Sequence, residues 1–150
     1  MTALVTAGAG FLLAVLWFDL MFDVQVLRHR VGELPEEVLA SIAAYYRRVT
    51  TEAGPMNRLV AVVMVVTLGA IVVQIANDDV PRGAAWASLV LAGPPTGIAV
   101  ARTFPAAVRL GARADAAQVQ SRLARSICRD HLLCVAGIAA LIAVQLSFAA

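Results

Sequence analysis

Four stretches of this chain are apolar for long enough to cross a lipid bilayer, and nothing else in the sequence limits the fold as strongly. They cover about residues 3–27, 57–76, 84–102 and 131–149. A bilayer core is spanned by about 20 apolar residues of helix. Inside it, backbone groups must find their partners within the protein, so unbroken apolar runs of this length cross as helices. The composition agrees. The chain is 61% hydrophobic with a mean hydropathy of +0.81, against about 45–50% apolar residues in soluble domains. At 150 residues the expectation is one integral membrane domain. It is an all-α bundle of four transmembrane helices.

The connections set the orientation. Arg28, Arg30, Arg47, Arg48 and Arg58 lie between or beside the first two spans. Arg102, Arg109, Arg113, Arg122, Arg125 and Arg129 lie between the last two, and only Arg82 falls between spans two and three. The positive-inside rule then places both long connections in the cytoplasm and both termini outside, as in a bacterial inner (plasma) membrane. Topology accounts for the arginines, so nucleic-acid binding is not expected. The first segment has no basic start and is longer than the apolar region of a signal peptide, so no cleavage is expected.

Both connections read as helical. In the first, over about 35–53, Pro35 opens a helix with Glu36 and Glu37 in its first turn, where the helix dipole favours acids. Val38, Ile42, Tyr45 and Val49 recur at helical spacing. Tyr45 and Tyr46 suit a membrane interface, with Arg47 and Arg48 reaching to phosphates. This helix is expected either on the membrane surface or packed on its own bundle. The second connection covers about 105–130. Pro105 opens a short helix, "GARAD" interrupts it, and Asp115 with Gln118 resembles a capping box. From about 116 to 148 one rod follows. Cys128 and Cys134 have neither zinc nor redox spacing and read as packing residues.

Two aspartates stand inside span one, in "WFDLMFD". An aspartate at a span's centre costs about 2.5–3.5 kcal/mol, and each large apolar residue returns about 0.3–0.6 kcal/mol. Two central charges would therefore nearly cancel the ten large aliphatic and Phe residues from Leu4 to Asp23. The acids must sit near the cytoplasmic edge, be paired, or be protonated. Asp19 and Asp23 are four apart and share a helix face, with Leu12, Leu16 and Arg30 in line. The small residues Ala3, Ala7, Gly10 and Ala14 lie opposite and are expected to pack closely on a neighbouring helix.

At the same edge span four begins with Arg129, Asp130 and His131, His29 leaves span one, and Arg102 closes span three. These residues and the two acids form a candidate polar cluster. One reading is structural, with the acids paired to Arg102 or Arg129. The other is a site for a proton, a small ligand or a metal, the metal ligands being Asp19, Asp23 and His131. One haem or quinone also fits at that edge, but the sequence specifies no cofactor. In span three, "AGPPTG" places Pro94, Pro95 and Thr96 near the middle. The prolines remove two backbone donors and predict a kink, Thr96 being able to satisfy a freed carbonyl. A cavity is expected between this kink and the acids. Gln74, Asn77 and Gln145 read as interface residues on the outer side.

The order of parts resembles that of the small four-helix membrane proteins grouped with the anthrone oxygenases. They too have a helical first cytoplasmic connection, a short second loop and a helix that runs into the last span. "TFPAAVRLG" keeps only the proline of the motif at the end of their third span, and "LARSICRDH" replaces their Trp-rich entry to the last span. The resemblance implies a fold and assigns no residue roles. The expectation is thus a small inner-membrane protein with a polar site at its cytoplasmic edge, between spans one, three and four. The alternative is a scaffold or accessory subunit that docks a partner through its cytoplasmic helices. The lipid bilayer is the expected surrounding. A second copy or a membrane-complex partner is compatible with it.

Overall fold

The computed structural model describes residues 1–29 and 31–148. Arg30, which the spacing aligned with the two acids, lies outside the described residues. Helices α1 (Thr2–Asp23), α2 (Glu36–Arg47), α3 (Gly54–Asn77), α4 (Arg82–Ile98), α5 (Phe104–Ala112) and α6 (Ala117–Leu146) follow in order, with no strand among the described residues. A 3₁₀ turn, Val24–Arg28, extends α1. π-helical segments follow α2 (Arg48–Glu52) and α4 (Ala99–Thr103). Four helical stretches are long and apolar enough to cross a membrane: Thr2–Arg28, Gly54–Asn77, Arg82–Ala112 and Ala117–Leu146. Helices α1, α3, α4 and α6 form a ring in which α1 and α4 each pack against both α3 and α6. The start of α1 and the end of α6 lie at one end of the ring, and α2 and α5 cap the other.

At the connection end, α2 is packed on the bundle. Leu39, Ile42, Ala43 and Tyr46 are buried with Leu110 of α5 and Ala124 and Ile127 of α6. Fully burying one Leu or Ile side chain contributes about 1.5–3 kcal/mol where water is the alternative. Polar contacts hold the cap in place. The Leu34 N–H donates to Ser121 Oγ at 2.9 Å, and Arg125 Nη2 donates to the carbonyls of His29 and Gly32, both at 2.8 Å.

At the termini end lies a second core, with Val5, Ala9, Ala70, Ile71, Ala92, Ile138 and Leu141. Within lipid, apolar burial gives little net drive between helices, so close packing and hydrogen bonds matter more. Gln74 and Gln145 exchange side-chain amide bonds at 2.9 and 3.1 Å. Gln145 also donates to Ser88 Oγ at 2.9 Å, and Gln74 to Thr2 Oγ1 at 3.3 Å. One network therefore joins all four long helices. Gln74 and Gln145 are buried rather than interfacial, because each is the other's partner. The close approach on α1 also differs from expectation. Ala3, Ala7, Gly10 and Ala14 are exposed. Gly8 instead faces α3, where an added Cβ would run into Thr67 Oγ1.

Helix α4 runs through Pro94 and Pro95 to Ile98, and the departure from α geometry comes a turn later, at Ala99–Thr103. Pro95 cannot donate to the Leu91 carbonyl. Gly137 of α6 packs directly over that carbonyl, its absent side chain leaving the room: a Cβ there would lie 3.0 Å from Leu91 O and 2.9 Å from Pro95 Cγ. Thr96 Oγ1 donates to the Ala92 carbonyl at 2.9 Å, which is not one of the two that the prolines release. Pro105 stands in the first turn of α5, which continues directly from the π segment and ends at Ala112, inside the expected GARAD interruption, where Arg113 has φ 54°. Asp115 pairs with Arg109 at 2.7 Å instead of capping α6.

Gly137→Leu is therefore expected to lower stability by about 1–3 kcal/mol through overpacking of α4 against α6. Gly10→Ala, with nothing near its added carbon, should be neutral or stabilising by up to about 1 kcal/mol. Thermal unfolding in mild detergent checks the pair, and equal melting of the two variants would contradict this packing.

Candidate functional site

Asp19 and Asp23 lie one helical turn apart on the last two turns of α1. Both face α6 and α2. His131, in the middle of α6, meets them. Its Nδ1 lies 2.6 Å from Asp23 Oδ2, and its Nε2 lies 3.8 Å from Asp19 Oδ2. The first is a short hydrogen bond between the ring nitrogen and the carboxyl group. The second is too long for a direct bond. The remaining oxygens are held from α2: Tyr46 Oη donates to Asp23 Oδ1 at 2.7 Å, and Tyr45 Oη to Asp19 Oδ1 at 2.6 Å. Tyr45 stacks on Phe22, with ring centroids 4.1 Å apart. Burial pushes both phenols up from their ordinary range, and the nearby carboxylates push them further, so both hydroxyls remain donors.

The two acids differ in surroundings. Asp23 is fully buried, at 0% exposure, with a partner on each oxygen. Asp19 lines a cavity of about 610 Å³. Its polar lining includes Asp19, Tyr45, Thr50, Asn57, Thr103 and His131. Leu12, Leu16, Val60, Met64, Val100 and Ile138 supply apolar walls. The cavity exists because α3 buries only Thr67, Ala70, Ile71 and Gln74, all in its second half. From Gly54 to Val66 it buries no residue. Both π-helical segments contribute to the wall, through Val49 and Thr50 and through Ala99, Val100 and Thr103. Such segments put an extra residue into a helical turn and recur at functional sites. Asn57 Nδ2 donates to the Thr50 carbonyl at 3.1 Å and ties the first of them to α3.

The other candidates of the cluster have separate roles. Arg102 and Arg129 pair with Asp130, at 3.4 and 3.8 Å, and not with the acids of α1. The reason is position: Asp130 is the neighbour of both, whereas His131 and the tyrosines already occupy Asp19 and Asp23. His29 is held through its backbone carbonyl by Arg125, and its ring makes no hydrogen bond or ion pair among the described residues. Pro95 and Thr96 line the cavity. Cys128 and Cys134 are free and buried, and Cys134 Sγ lies 3.6 Å from the Pro95 carbonyl. Asp19, Asp23 and His131 do come together, but around each other. Among the described residues no group of three or more His, Cys, Asp or Glu is arranged to hold a metal ion.

Sequence reasoning read Tyr45 and Tyr46 as membrane-interface aromatics and missed their bonds to the two acids. A signal for those bonds was present. They are the chain's only tyrosines, adjacent, on a helix expected at the same edge as two acids that need donors.

No protein-family model, curated protein or solved structure matches this chain.

Replacing Tyr46 by Phe leaves Asp23 Oδ1 buried without its donor and should cost about 1–3 kcal/mol. Arg82→Ala removes a pair exposed on both sides, at 81% and 59%, and should cost less than about 1 kcal/mol. Chemical unfolding of the two variants in detergent measures the difference. A smaller loss for Tyr46→Phe than for Arg82→Ala would contradict this view of the site.

Proposed function

We propose that this chain is a multi-pass inner-membrane protein that binds a small, largely apolar molecule beside Asp19 and His131. The site lies at the cytoplasmic edge of the bilayer. One observation carries the reading: Asp19 and His131 line a cavity of about 610 Å³, and Asp19 Oδ2 and His131 Nε2 stand 3.8 Å apart with no direct hydrogen bond between them. That volume is within the range of small-molecule sites, about 300–1,000 Å³. A ligand hydroxyl, amine or water placed between the two atoms would bond to both. Asp23 and the tyrosines act as positioning residues. They hold the ring and the carboxylate at fixed rotations, so that the free atoms face the cavity.

The orientation follows from the arginine distribution, which favours a cytoplasmic connection end. A Glu52→Cys variant should then react with an impermeant maleimide in inside-out vesicles and not in intact cells. The scaffold reading is weaker. Leu39, Ile42, Ala43 and Tyr46, the apolar face that α2 would offer to a partner, are turned onto its own bundle.

The binding reading separates the two acids. Asp19→Asn can keep the bond from Tyr45 and should fold with a melting temperature near that of wild type while losing the bound molecule. Asp23→Asn should destabilise by about 1–3 kcal/mol, because it disturbs a fully buried acceptor. Native mass spectrometry of detergent-purified protein, with metal analysis and a visible spectrum on the same samples, detects the ligand. A bound molecule retained undiminished in folded Asp19→Asn would refute the assignment.

A further inference from the structure

The charges around the cavity do not balance, and the imbalance selects a ligand. Asp19 and His131 line it, with Asp23 directly behind His131 at 2.6 Å. Two carboxylates face one imidazole. Even with the ring doubly protonated, one negative charge remains. Among the described residues no arginine lines the cavity: Arg102 is turned to Asp130, and Arg125 donates to backbone carbonyls. The surplus charge must be met by a proton or by a cation, because an uncompensated buried charge is costly.

The groups facing Asp19 come from three elements. Asp23 lies on α1, Tyr45 and Tyr46 on α2, and His131 and Cys134 on α6, with Asp130 next to His131 and already paired to Arg102. Helix α3 presents Asn57 and no ionisable group to the cavity. The walls suit an organic cation. Aromatic rings of Tyr45 and Phe104 line the space beside aliphatic side chains, and ring faces attract cations. Phe18, Met56, Val100 and Phe104 line the cavity and are 48–66% exposed. The cavity therefore opens sideways, along the half of α3 that buries no residue. In a bilayer that opening faces the acyl chains.

We infer that the cavity receives a lipophilic organic cation from the membrane, and that the cation replaces a proton on Asp19. This rests on the binding reading above and names its ligand class. The exchange balances: one positive charge enters, and one proton leaves Asp19 for water.

The test is isothermal titration of the full chain in mild detergent, at several pH values, with two probes. Tetraphenylphosphonium is the cation, and triphenylphosphine oxide is a neutral counterpart. Wild-type affinity for the cation should rise about tenfold per pH unit while Asp19 is protonated. Affinity for the neutral probe should stay flat. Asp19→Asn should weaken cation binding about tenfold or more and remove its pH dependence, leaving the neutral probe unaffected. Val100→Trp, at the mouth and away from the acids, should weaken both probes alike. If Asp19→Asn does not fold, the pH slope of wild type and its absence for the neutral probe decide the matter. Neutral binding with equal or absent cation binding overturns the ligand class and leaves the cavity reading standing. No binding of either probe overturns both.

Discussion

The arrangement of this protein depends on one hydrogen bond, between His131 Nδ1 and Asp23 Oδ2 at 2.6 Å. Both residues are removed from solvent, at 6% and 0% exposure, so their interaction is little screened. The bond fixes the rotation of α1 relative to α6. Tyr46 then brings α2 to the same carboxylate, at 2.7 Å. With Asp23 held from two sides, Asp19 one turn away must face the cavity. A carboxylate that would be costly as a free charge in a bilayer is thereby kept at a chosen place. Asp23 acts as the anchor, and Asp19 is the acid it positions.

The two ends of the bundle are held by different physics, and the cavity lies between them. The cap of α2 and α5 has a core of the soluble kind, with Leu39, Ile42, Leu110 and Ile127 buried together. The termini end relies on the close approach at Gly8 and on the Gln74–Gln145 network. The first half of α3 belongs to neither, and the cavity forms beside it. The two π-helical segments lie at the same level. Each adds a residue to its turn, and Val100 and Thr50 thereby reach the cavity wall.

The large features were legible because each depends on long runs of residues. The four apolar stretches, the helical connections and the long last helix rest on summed hydropathy and on periodicity, and the helices lie within a few residues of the expected bounds except where α4 runs on into α5. The shared face of Asp19 and Asp23, and the meeting with His131, followed from helical spacing and from depth. Features that depend on which helix sits beside which were not legible. Gln74 and Gln145 are 71 residues apart, and neither hints at the other. The face of α1 that packs is the one with Gly8 and Ala9, not the one with more small residues, because the acids set its rotation. The prolines of α4 are accommodated by a glycine on α6, which no local rule reveals.

The central claim is that His131 is locked to Asp23, leaving its other nitrogen open to the cavity. Nitrogen-15 NMR of the histidine side chains in lipid nanodiscs tests it directly, since the chain has only two histidines. The account predicts one ring with a strongly downfield, slowly exchanging Nδ1 proton, lost in Asp23→Asn and retained in Asp19→Asn. Two rings that exchange freely with water, both unchanged by Asp23→Asn, would contradict it.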